Sequence, residues 1–62
     1  MNQVFLVSLC DLEGEEIDKE FIDLDIAKKY FDDIVLLEDK HMYKSLDRCI
    51  DYKCHSICFE AV

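Results

Sequence analysis

Residues 45–58 read SLDRCIDYKCHSIC, and two different periods fit them. At 3.6 residues per turn, Leu46, Cys49, Ile50, Cys54, Ile57, Cys58 and, just beyond, Ala61 fall on one face behind Ser45 as a helix cap. At period two, Ile50, Tyr52, Cys54 and Phe59 have the β-branched or aromatic character that suits a pleated, half-buried surface. The first period makes the chain an α+β fold with an N-terminal β-hairpin, an amphipathic helix and a C-terminal helix. The second turns the same stretch into one or two strands, giving ββαβ or ββαββ. The helical pattern accounts for more of the apolar residues, so a C-terminal helix over about 45–58 is the expectation.

Upstream the signals are cleaner. Ala27, Tyr30, Phe31, Ile34 and then Leu37 or Glu38 recur at helical spacing, with Asp23 or Asp25 available as N-cap, which predicts an amphipathic helix over 26–38. Ahead of it, residues 4–12 and 16–24 are two runs of strand length around Glu13, Gly14 and Glu15. Gly14 supplies the positive φ that a tight turn needs, so the two runs form a hairpin. The first run is apolar on both faces, with Val4 and Leu6 on one and Phe5, Val7 and Leu9 on the other. A strand of that kind belongs at the centre of a sheet or against a partner chain. In the second run, Ile17, Lys19 and Phe21 share one face and Glu16, Asp18 and Glu20 the other. Period-two geometry sets those three carboxylates about 6.6 Å apart in a row.

Charge follows this division. The chain has 62 residues and a formal net charge of −8. Residues 11–25 contain eight acids and only Lys19 in return, whereas residues 26–62 contain seven acids against six bases. Nearly all the excess lies in one quarter of the chain. Such asymmetry predicts a negative field on one edge of a small body, a feature that a positive partner can recognise. The blander consequence is solubility, together with protection of an edge strand against pairing with other chains. A net charge of −8 disfavours direct binding to nucleic acid or to an anionic membrane, since the largest basic run is the pair Lys28 and Lys29.

Size limits the rest. One small domain spanning 1–62 is expected, and a domain of about 60 residues buries only roughly 60% of its unfolded surface. The run from Val4 to Leu9 has no basic residues before it and is too short to span a bilayer, so the expected compartment is the cytoplasm. Thiols stay reduced there, and the four cysteines are expected as buried thiols rather than a disulfide framework, although a disulfide among Cys10, Cys49, Cys54 and Cys58 remains open.

Cys49, Cys54, His55 and Cys58 form a C-x4-C-H-x2-C array whose residue types suit tetrahedral zinc. Its spacing does not, because structural zinc sites use short knuckles spaced a dozen residues or more apart. His41 is expected in a loop after the first helix, and His55 as a partly exposed helix or strand residue. No catalytic signature, phosphate loop or C-x-x-C pair occurs. The expectation is a protein that is not an enzyme and needs no cofactor.

The stretch FIDLDIAKKYFDDIVLL over 21–37, following an acidic hairpin in a tiny acidic chain, resembles small early bacteriophage proteins that act on host enzymes. Anti-CRISPR proteins, uracil-DNA glycosylase inhibitors and other DNA mimics share that character of size, charge and coarse order. The resemblance implies an inhibitor that acts by binding, in the host cytoplasm if phage-encoded.

The residues themselves point to a protein-binding module that sets Glu13, Glu15, Glu16, Asp18, Glu20 and Asp23 against a basic, nucleic-acid-binding partner, and the resemblance implies a phage-defence or DNA-processing enzyme in that role. The alternative is a structural or regulatory homodimer through apolar faces, in which the acids only solubilise.

Overall fold

The computed structural model describes residues 3–62. Its elements are β1 (Gln3–Asp11), β2 (Glu16–Phe21), α1 (Leu24–Asp33), β3 (His41–Ile50) and β4 (Lys53–Ala61). The strands form one antiparallel sheet in the order β2-β1-β3-β4, and α1 packs on one face of it.

The expected C-terminal helix is therefore corrected. The whole stretch from His41 to Ala61 is a second hairpin, and the arrangement is ββαββ. Two local features explain why the sequence looked helical. β3 and β4 are joined by only Asp51 and Tyr52, both with positive φ (50° and 69°), the mirror-image turn that matches strand twist and that no α-helix can contain. In β4 the pairing shifts between Cys58 opposite Leu46 and Ser56 opposite Asp47, leaving Ile57 as an extra residue. That bulge reverses the alternation halfway along the strand, so the period-two signal breaks where the sequence would be read for it.

β1 is central, which accounts for its apolar character on both faces. Phe5 and Val7 form the core with Ala27 and Phe31 of α1 and Leu46 of β3, while Phe21, Leu24, Tyr30, Ile34 and Cys58 pack around them. The β1–β2 hairpin forms as expected, but β2 ends at Phe21 and the strands are separated by four residues, Leu12 to Glu15. Asp11 organises that turn: its Oδ1 accepts hydrogen bonds from the backbone N–H of Glu13 and of Glu15, each at 2.9 Å. Gly14 takes φ 86°, as its position demands.

α1 occupies 24–33 rather than 26–38. Asp23 is its N-cap, with Oδ1 accepting from Asp25 N at 2.8 Å and Ile26 N at 3.4 Å. Its C-terminus is closed from outside the helix. The Lys44 ammonium donates to the carbonyls of Phe31 and Ile34, both at 2.8 Å, and lies 4.4 Å from the Phe31 ring centroid. No basic residue stands in the last turn of α1 itself, so a cation from β3 supplies what helix C-termini favour. Lys44 is only 4% exposed, with Glu60 on β4 beside it at 3.5 Å. His41 opens β3 instead of lying in a loop, and its side chain is outside the described portion.

Cys49 and Cys54 face each other across the β3–β4 pair and are joined as a disulfide, where buried thiols were expected. A helix would have kept positions 49 and 54 apart. The two-residue turn sets them opposite one another, with Cα atoms 4.0 Å apart. Cys10 and Cys58 are free and half-buried. Among the described residues no helix is long and apolar enough to cross a membrane.

Candidate acidic sheet face

Strand pairing determines which side chains share a face. Phe5, Val7 and Leu9 point toward α1, and opposite them stand Phe21, Lys19 and Ile17 of β2 and Arg48, Leu46 and Lys44 of β3. Continuing into β4, Lys44 pairs with Glu60, Leu46 with Cys58, Arg48 with His55 and Ile50 with Lys53. The other face has no helix over it. Successive rows across it read Glu16, Cys10, Tyr43, Ala61; then Asp18, Ser8, Ser45, Phe59; then Glu20, Leu6, Asp47, Ser56; and finally Val4, Cys49, Cys54.

The strand cations are thus confined to one side of the sheet. Lys19, Lys44, Arg48, Lys53 and His55 all lie on the helix side, whereas the open face holds Glu16, Asp18, Glu20 and Asp47 with no lysine or arginine from any strand. Several of the helix-side cations are held by rings: Lys19 Nζ lies 5.0 Å from the Tyr30 centroid, and the Arg48 guanidinium carbon 5.7 Å from that of Phe5. These contacts keep positive charge away from the acidic row. Among the described residues the salt bridge is Lys44 with Glu60, and none of the row's three carboxylates takes part in one.

Glu16, Asp18 and Glu20 are exposed along the outer strand and share one face, as alternation requires. Glu16 accepts a hydrogen bond from the Tyr43 hydroxyl at 3.2 Å, reaching over Cys10 from the far side of β1. Loss of hydration and then the Glu16 carboxylate push the Tyr43 hydroxyl above its ordinary value of 10.0, keeping the phenol neutral and donating. The Tyr43 ring stacks on Phe59 with centroids 5.7 Å apart, so an aromatic pair flanks the far end of the row.

The other acids named from sequence are placed differently. Glu13 and Glu15 lie in the β1–β2 turn, where their backbone N–H groups are bound by Asp11. The Asp23 carboxylate is committed to the N-terminus of α1. Neither of the two turn glutamates belongs to a strand row, and Asp23 serves the helix.

At its disulfide end the open face sinks into a groove of about 380 Å³ lined by Val4, Leu6, Glu20, Cys49, Asp51, Tyr52 and Cys54. Tyr52 stands fully exposed at the hairpin tip (105%). Asp47 and Asp51 were not singled out from sequence, and Tyr52 was read there only as a residue suited to a strand. Asp47 joins the acidic face only through pairing with β1 and β4, for which no local signal exists. The Asp51-Tyr52 pair, two residues in from cysteines on either side, is the one legible hint of a cross-linked two-residue hairpin.

The C-x4-C-H-x2-C array is divided by the sheet. Cys49 and Cys54 are bonded to each other on the open face, and His55 and Cys58 project to the helix side. Among the described residues no group of three or more His, Cys, Asp or Glu side chains is placed to hold a metal ion. No family model, curated protein or solved structure matches the chain.

Proposed function

We propose that the open sheet face is a docking surface for a basic protein partner, and that the protein inhibits a nucleic-acid-binding enzyme by occupying its phosphate-binding surface. The observation that carries this reading is the segregation of charge. Glu16, Asp18, Glu20 and Asp47 share a face on which no strand places a Lys or Arg, while the strand cations sit on the opposite side. The helix-side cations are engaged in the fold, Lys44 at the end of α1 and Lys19 and Arg48 against rings, so the strands leave none to neutralise the open face. A partner surface built to neutralise phosphates meets a regular line of negative oxygens on this face. The small, acidic character shared with phage-encoded inhibitors points to host defence or DNA-processing enzymes as the partner class.

The test is competition. Duplex DNA and the protein should exclude each other from the captured partner, and binding should weaken as salt rises, because exposed charges are screened beyond about 8 Å at physiological ionic strength. Reversing Glu16, Asp18 and Glu20 together to lysine should abolish capture while leaving the fold intact, since all three are exposed. Capture that survives this triple reversal would sink the reading.

A homodimer through the same face is the second reading, favoured by the apolar Val4, Leu6 and Phe59 among the acids. It predicts that Leu6→Asp breaks assembly and that charge reversal on β2 does not. Val7 is no probe of it, because Val7 is 1% exposed beneath α1 and its replacement by Asp would unfold the chain.

A further inference from the structure

We infer that the groove at the disulfide end of the open face receives an arginine side chain of the basic partner, an inference that rests on the docking reading above. The groove's floor is apolar, made of Val4, Leu6 and the Cys49–Cys54 bridge, and its polar lining residues are Glu20, Asp51 and Tyr52, with no base among them. An occupant complementary to that lining has an apolar stem and a cationic head. Lysine and arginine both qualify by charge. The fully exposed Tyr52 ring favours arginine, because a planar guanidinium stacks flat on an aromatic face and bonds carboxylates two-pronged, whereas an ammonium meets a ring or a carboxylate only as a point charge. At about 380 Å³ the groove lies near the small end of ligand pockets, room for one side chain rather than a chain segment.

The backbone of Tyr52 is the independent observation. Its φ of 69° lies in the left-handed region, where glycine or asparagine is at ease and a bulky residue is strained. A tyrosine at that position, fully exposed, returns nothing to the fold in packing that would offset the strain. Tyr52 lines the acidic groove, and backbone strain of this kind is tolerated where a residue serves binding.

This makes Tyr52→Gly a variant with opposed effects. It relieves the turn, so thermal stability should hold or rise, and it removes the ring, so binding should fall. The measurement uses oxidised protein, ¹⁵N-labelled, titrated at low salt with an oligo-arginine peptide and an oligo-lysine peptide of equal length. The expected result is amide shifts centred on Leu6, Glu20, Cys49 and Asp51, affinity for oligo-arginine about tenfold above that for oligo-lysine, and loss of that preference in Tyr52→Gly and in Glu20→Gln. Shifts confined to Glu16, Asp18 and the β1–β2 turn, or equal affinity for the two peptides, would overturn the arginine groove while leaving the acidic docking face standing. Binding of neither peptide would overturn both.

Discussion

Lys44 closes α1 from a neighbouring strand, and no reading of the sequence would have chosen it. Its two acceptors, the carbonyls of Phe31 and Ile34, lie thirteen and ten residues away. Only the pairing of β3 against β1 brings its side chain beneath the helix end. Hydrogen bonds from a charged donor contribute about 1.5–3 kcal/mol each, and an unpartnered buried carbonyl costs about as much as such a bond supplies. Lys44→Met, which keeps most of the stem, should therefore destabilise the protein by about 2–3 kcal/mol. In a domain of this size that lowers Tm by roughly 10–20 °C, measurable by circular dichroism. Glu60→Gln should cost well under about 1 kcal/mol, because its carboxylate is 61% exposed and the pair is screened by water. Asp23, by contrast, was legible: a carboxylate just ahead of an apolar helical period is a cap signal, and it caps.

The elements differ in how much of them local sequence determines. α1 and the β1–β2 hairpin follow from a 3.6-residue period, a capping Asp and the single glycine, and both are present with shifted ends. The β3–β4 hairpin does not follow, because the Ile57 bulge inverts its alternation and its turn places Tyr52, a residue that disfavours positive φ, after Asp51. What holds that hairpin is the β1–β3 ladder, the fully buried Leu46 and the Cys49–Cys54 bridge. A disulfide closing so short a loop contributes about 2 kcal/mol in the chain-entropy picture. Reduction should accordingly lower Tm by about 8–15 °C while leaving the β1–β2 hairpin and α1 folded, a pattern that amide exchange in the presence and absence of reductant would show. Equal protection of β4 in both states would mean that the ladder alone suffices.

For the molecule as a whole, the balance of charge and packing has two consequences of opposite sign. A formal net charge of −8 on 62 residues repels itself, and the concentration of Glu16, Asp18, Glu20 and Asp47 on one face intensifies that repulsion. Added salt should raise the Tm of the free protein while weakening its complex with a basic partner. Differential scanning fluorimetry and a binding titration over the same salt series check both limbs, and a Tm that falls with salt would contradict the arrangement of charge described here.

The amino-acid sequence by itself determined the hairpin, the helix and its cap, the concentration of acid near the N-terminus and the row along β2, because each depends on contacts within a few residues or on simple alternation. Tertiary structure alone decided that residues 45–58 form a hairpin, that Lys44 serves a helix it does not belong to, and that Asp47 and the disulfide groove join the acidic face. Those outcomes turn on which strand lies beside which. Pairing between segments far apart in the chain follows from the burial of Phe5, Val7, Phe31 and Leu46 together, and no local pattern records it.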